Sequence, residues 1–291
     1  MKRLLLATAT IATILATGAI VNAGPGNIKW TVHNMSKESP LDAVANRHFK
    51  ADNVDEICVF CHTPHNAAPS VPLWNKVLPT QAFRMYTSSA TLSQAAKGAG
   101  KSVAGGKAPN TESLFCLSCH DGLTAVNVLH NSKVYEGTSG TDKVVQIGGM
   151  LGDPSNPTGA FSMTAFGFPI NTYRANIGKG EREEDAYVGN FLMDDHPISF
   201  SYTAAQSEKT DKLNDLTTVS TKSGGKIRFF GSDNRIECSS CHDPHVDYGY
   251  DWDGNDSNLV AGHNPPGDHA LRPFLAMDNA SSAMCLACHN K

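Results

Sequence analysis

Cys58-Val-Phe-Cys61-His62-Thr-Pro-His65 is one of four related words in this chain. The others are Cys116-Leu-Ser-Cys119-His120, Cys238-Ser-Ser-Cys241-His242-Asp-Pro-His245 and Cys285-Leu-Ala-Cys288-His289. All 8 cysteines of the 291 residues are used, two to a word, and histidine follows every second cysteine. Cys-x-x-Cys-His is the spacing of covalent c-type haem attachment, in which the thiols form thioethers with the porphyrin and the adjoining imidazole lies under the iron. A zinc site made of four thiolates or a redox disulfide also uses paired cysteines, but neither requires the histidine. With only 12 histidines in the chain, four such placements do not follow from composition. The sequence therefore predicts four haem c groups on Cys58, Cys61, Cys116, Cys119, Cys238, Cys241, Cys285 and Cys288. His62, His120, His242 and His289 are their expected proximal iron ligands.

The boxes alternate. The first and third continue into Pro-His, whereas the second and fourth begin Cys-Leu and lack that tail. A long–short pattern repeated at similar offsets predicts two haem-pair modules, 24–165 and 166–291, with a boundary near 159–168. The repeat also sorts candidates for the sixth iron ligand. His65 and His245 stand three residues after a proximal histidine, too close to return to the same iron, and are assigned to the second and fourth haems. His33 and His196 precede the boxes of each half at similar offsets and are assigned to the first and third. His48 is the reserve ligand for the first haem. His130, His263 and His269 have no counterpart and read as solvated or hydrogen-bonded side chains. Met85, Met163 and Met193 also lack repeat partners and read as gap-fillers against apolar faces.

Regular structure is weakly signalled. The stretches 97–110, 137–159 and 249–268 are rich in turn-forming residues and read as loops. Short helices are expected over 41–49, 91–97 and 203–216. The expected fold is mostly irregular coil with short α-helices and few or no strands, wrapped around four covalent haems whose flat faces supply the missing apolar surface. Asp251-Trp-Asp253-Gly-Asn255-Asp256-Ser257 has alternating oxygen side chains, but its glycine is misplaced for an EF-hand and no glutamate closes it, so it reads as a polar turn. The acidic run Glu181-Arg-Glu-Glu-Asp185 reads as a solvated face.

Lys2 and Arg3 precede an uncharged run from Leu4 to Val21, then Val21-Asn22-Ala23 and Gly24-Pro25-Gly26. This predicts a signal peptide over 1–23 rather than a transmembrane anchor, and an exported chain without a membrane span after cleavage. The whole sequence has 24 basic and 28 acidic residues, a formal charge of −4, and loss of Lys2 and Arg3 makes it more negative. That balance provides no basic stripe for nucleic acid and no polybasic patch for anionic lipid.

Cys58-Val-Phe-Cys-His-Thr-Pro-His65, Pro72-Leu-Trp74-Asn75, Cys116-Leu-Ser-Cys-His-Asp-Gly122, Asp195-His-Pro-Ile-Ser-Phe200 and the two later boxes resemble the multihaem cytochromes with repeated Cys-x-x-Cys-His motifs. Four haems on an exported chain without a lipidation cysteine are similar to the OmcE type of outer-surface tetrahaem cytochrome. That resemblance implies bis-histidine haems and polymerisation into extracellular, electron-conducting filaments (nanowires). It further implies that a histidine of one subunit completes a haem in the next, a place His33 or His48 would suit.

The expected function is electron transfer, with other cytochromes or redox proteins as partners and self-association into filaments. A soluble periplasmic tetrahaem carrier is the alternative. A multihaem reductase is a third reading, but it needs an open iron position with acid–base groups above it. No Cys-x-x-Cys-Lys box is present, so the expected role is not that of an enzyme.

Overall fold

Brief apolar runs broken by Gly and Pro give brief elements. The computed structural model describes residues 27–40, 51, 54–63, 73–124, 126–131, 143–144, 190–249 and 267–291. In chain order the regular elements are β1 (Arg84–Met85), α1 (Gln94–Lys97), β2 (Lys101–Val103), β3 (Gly106–Ala108), α2 (Thr111–His120), β4 (Val128–Leu129), β5 (Lys143–Val144), β6 (Phe191–Leu192), β7 (Phe200–Ser201), α3 (Tyr202–Glu208), α4 (Leu216–Ser223), β8 (Arg235–Ile236), α5 (Cys238–Cys241) and α6 (Ala283–Cys288). The strands form two-stranded ladders: β1 with β6 in parallel, and β2 with β3, β4 with β5 and β7 with β8 antiparallel.

Local chemistry sets the ends of the helices. Ser93 Oγ accepts from Ala96 N–H at the start of α1, and the Glu208 carboxylate at the end of α3 accepts from the Gln94 and Ala95 N–H groups. Asp215 caps α4 by accepting from the N–H groups of Thr217 and Thr218, and Gly224 closes it in the left-handed region at φ 58°. The expected helix over 203–216 is helical only in its first half, as α3; the chain then leaves the helix where Leu213 and Asn214 bind the fourth box, and α4 begins at the last residue of that range. Within the expected loop at 97–110 lies the β2–β3 hairpin. Its base requires Gly100, whose φ is 79° and where an added Cβ would lie 2.5 Å from the Ala108 carbonyl oxygen.

One buried cluster draws on residues far apart in the chain. Phe83, Met85, Leu114 and Leu117 pack with Leu192, Phe200, Tyr202, Val219, Ile236 and Ala287. The parallel β1–β6 pairing joins the same two regions across the intervening sequence. A second cluster contains Val54, Phe60 and Leu129, and a third Val246, Tyr248 and Leu271. Phe60 lies within the first box and Val246 just beyond the third, so each small cluster anchors a box.

The expected leader, the expected helix over 41–49, the expected module boundary near 159–168, the expected polar turn at 251–257 and the acidic run at 181–185 lie outside the described residues. So do His48, His65, His263 and Met163. Among the described residues, no helix is long and apolar enough to cross a membrane.

Candidate cofactor sites

Each box occupies one helical turn. The second ends α2, the third is α5, the fourth ends α6, and the first forms a 3₁₀ turn at Cys58–Phe60. In three of them the histidine N–H donates to the carbonyl of the first cysteine: His62 to Cys58 at 2.8 Å, His242 to Cys238 at 3.1 Å and His289 to Cys285 at 2.8 Å. Helical spacing places residues three and four apart on one face, so both sulfurs and the imidazole are presented together. None of the eight cysteines is paired in a disulfide, and no group of three His, Cys, Asp or Glu side chains among the described residues forms a metal-type cluster.

The same backbone bracket then grips three boxes. Trp74, Leu275 and Leu213 form isolated antiparallel bridges with His62, His242 and His289. The next residue along each bracket donates its N–H to the second cysteine carbonyl: Asn75 to Cys61 at 3.0 Å, Ala276 to Cys241 at 2.8 Å and Asn214 to Cys288 at 2.8 Å. The preceding bracket residue accepts from the N–H after the histidine, pairing Thr63 with Leu73, Asp243 with Phe274 and Asn290 with Lys212. Leu73 and Phe274 hold equivalent left-handed conformations, at φ 65° and 58°. These brackets orient the box histidines and are absent from the sequence reading. Their only residue signals are Asn75 and Asn214 at matching places, with an apolar residue before each.

Three box histidines each face a histidine from elsewhere. Ring centres are 6.1 Å apart for His33 and His120, 6.4 Å for His245 and His62, and 6.3 Å for His196 and His289. Two imidazoles on opposite sides of one metal, with metal–nitrogen bonds of about 2 Å, would hold their ring centres about 6 Å apart. The spacing of the paired rings at these three places therefore fits an iron held between two imidazoles. The partners differ from those expected. His33 meets the second box rather than the first, His245 the first rather than the fourth, and His196 the fourth rather than the third. The chain folds back, so the tail of the third box reaches the first instead of its own neighbour. His242 has no ring partner among the described residues; its Nδ1 lies 3.0 Å from the Pro273 carbonyl. His130 contributes its N–H to the Asn75 carbonyl, His269 begins a 3₁₀ turn, and Met85 is buried in β1.

The surroundings favour the neutral form of two box histidines, His62 and His289. Burial first, then the nearby His245, pushes His62 down, against a backbone hydrogen bond at Leu73. Burial and His196 do the same to His289. His245 is raised because its Nδ1 bonds the Asp243 carboxylate, which is itself held down at about 2.

The sulfurs show the boxes adjoining in order. Cys61 is pushed up to about 12 by burial and then by Cys119. Cys116 is pushed up by its hydrogen bond with Cys238 and by burial. Cys241 is pushed up to about 12 by burial, then by Cys288 and Cys285. First box thus meets second, second meets third, and third meets fourth.

Buried polar groups fix two of these junctions. Trp74 Nε1 donates to Ser118 Oγ at 3.3 Å and its ring stacks on Phe115 at 4.6 Å, joining the first bracket to α2. Next to it, Lys76 is only 1% exposed and donates to the carbonyls of Val126 and Val128 at 3.1 and 3.0 Å. Between the second and third boxes, Glu237 is 1% exposed and accepts from Ser113, Ser199, Asn110 and Arg235 at 2.6, 2.7, 3.0 and 3.2 Å. Ser113 Oγ in turn accepts from Cys238 N–H at 3.1 Å, while Glu237 and Ser240 complete a capping box on α5. No known family model matches the chain, and no curated protein matches it.

Proposed function

We propose that this chain is a tetrahaem c-type cytochrome that transfers electrons and is not an enzyme. The observation carrying the reading is the pairing of a box histidine with a non-box histidine at three places, each with ring centres just over 6 Å apart. Cys58 and Cys61, Cys116 and Cys119, Cys238 and Cys241, and Cys285 and Cys288 would carry the covalent links. His62, His120, His242 and His289 would bind from the box side, with His245, His33 and His196 opposite the first, second and fourth. Haem iron held between two imidazoles supplies one-electron chemistry without an open position for substrate. The chain's part is to fix ligand orientation through the brackets and to keep successive sites adjoining, so the proposed relay runs from the first box to the fourth.

The reading extends to an exported protein that associates with its own kind into extracellular filaments and exchanges electrons with other redox proteins. Mass spectrometry of the exported protein tests the cofactor, since four covalent haems are expected and their absence overturns the reading. Electron paramagnetic resonance is expected to show only low-spin iron, whereas a high-spin centre that binds cyanide favours a reductase. Negative-stain microscopy of the secreted fraction separates thin filaments from the dispersed particles of a soluble carrier.

A further inference from the structure

The third box differs from the first at one place that matters for electron affinity: Asp243 stands where the first has Thr63. His245 donates from Nδ1 to Asp243 Oδ1 at 2.9 Å, and its own backbone N–H reaches the same oxygen at 3.0 Å. Arg228 holds the other oxygen at 3.2 Å. The backbone of Asp243 is pinned in turn, its N–H donating to the Phe274 carbonyl at 2.8 Å in the third bracket. The carboxylate is nearly buried, with 9% of its side chain exposed, so little water screens it. Elsewhere the structure uses a neutral partner. His242 Nδ1 faces the Pro273 carbonyl at 3.0 Å and His196 Nδ1 the Pro197 carbonyl at 2.8 Å. Thr63 is uncharged, and its hydroxyl accepts from Asn131 Nδ2 at 2.9 Å.

We propose that Asp243 is a positioning residue that lowers the reduction potential of the centre held by His62 and His245. The inference rests on the proposed haem ligation. With Nδ1 committed to Asp243, Nε2 is the nitrogen left to face the iron. A carboxylate behind a ligating imidazole fixes its tautomer and raises its basicity more than a carbonyl does. A more basic ligand and a nearby negative charge favour the oxidised, more positive iron, and hydrogen bonding behind the ligand is one of the means by which a protein sets haem potential. Reduction adds one electron to the iron, and the proton stays on Nδ1 between His245 and Asp243. Arg228 offsets part of the carboxylate charge, so its removal acts in the opposite direction. Asp243 neighbours His242 of the third box while bonding the ligand of the first, so one carboxylate links the two sites.

Redox titration of the four-haem exported protein tests this, with the low-spin spectrum recorded alongside. In D243N, one of the four reduction steps is expected to move to higher potential while the protein stays low-spin. In R228M, the same step is expected to move lower. A His245→Met exchange, which replaces an imidazole by a thioether and so raises the potential strongly, identifies the step belonging to this centre. Unmoved steps in both D243N and R228M overturn the proposal, as does movement of a different step. If D243N loses low-spin ligation, R228M decides: a lowered step supports the proposal and an unmoved one overturns it. A preparation without covalent haem overturns the ligation reading as well, whereas four haems with unmoved steps overturn only the role of Asp243.

Discussion

Glu237 shows how much one side chain can hold. Its carboxylate collects hydrogen bonds from Asn110, Ser113, Ser199 and Arg235, and those residues lie on both sides of the junction between the second and third boxes. Breaking a buried charged network from one side strands its remaining donors, a loss of about 3–5 kcal/mol. E237A is expected to lower the unfolding free energy, measured by urea titration, by that amount. E237Q, which keeps the shape and one acceptor, is expected to lose less; equal losses would show that shape rather than charge is what the pocket requires. His33 gives a second test at this scale. It faces His120 and also packs on Phe274, with ring centres 4.4 Å apart. H33A is expected to turn the second box's iron high-spin and leave the first unchanged. A change confined to the first box would mean that the facing histidines do not ligate as proposed.

Among the elements, the brackets carry the most consequence and were the least legible. They lie after the first box, further beyond the third, and upstream of the fourth. A backbone pattern at three unrelated separations leaves almost no residue signature, because main-chain N–H and C=O groups make the contact. The boxes were legible because the same side chains recur in them at one fixed spacing. The facing histidines were only half legible: His33, His196 and His245 stood out by their place in the repeat, but which box each faces depends on how the chain folds back. The third bracket admits a direct test. A276P removes the N–H donated to Cys241 and is expected to disturb the third box's iron spectrum, while A276G keeps that N–H and is expected to leave the spectrum unchanged. The cap on α4 gives a pH dependence. Hydrogen bonds from Thr218, first from its side chain and then from its backbone, hold Asp215 below its ordinary value. A carboxyl lowered by folding stabilises the folded state above its unfolded value of about 3.9, and that contribution fades as pH falls through the folded value. D215N retains a good cap and is expected to flatten this part of the acid unfolding curve.

At the scale of the molecule, the elements are too small to stand without help. The longest described helix, α2 at Thr111–His120, has 10 residues, and each ladder has two strands. Isolated helices under about 12–15 residues and lone strand pairs are marginal in water. The brackets and the shared cluster around Leu114, Leu192 and Ala287 connect these pieces, but the boxes lie at the points of connection. Cofactor attachment and folding are therefore expected to be coupled, and the extent of damage should follow the order in which the boxes adjoin. Replacing Cys116 and Cys119 by alanine removes the proposed second haem, whose sulfurs lie beside Cys61 on one side and Cys238 on the other. Replacing Cys285 and Cys288 removes the fourth, which adjoins Cys241 of the third. Limited proteolysis is expected to open sites around the first and third boxes in the former variant. In the latter, new cleavage is expected to stay within the α4 and α6 region and the third box. Equal and global sensitivity in both would mean that the four sites fold as one unit, with no dependence on their order.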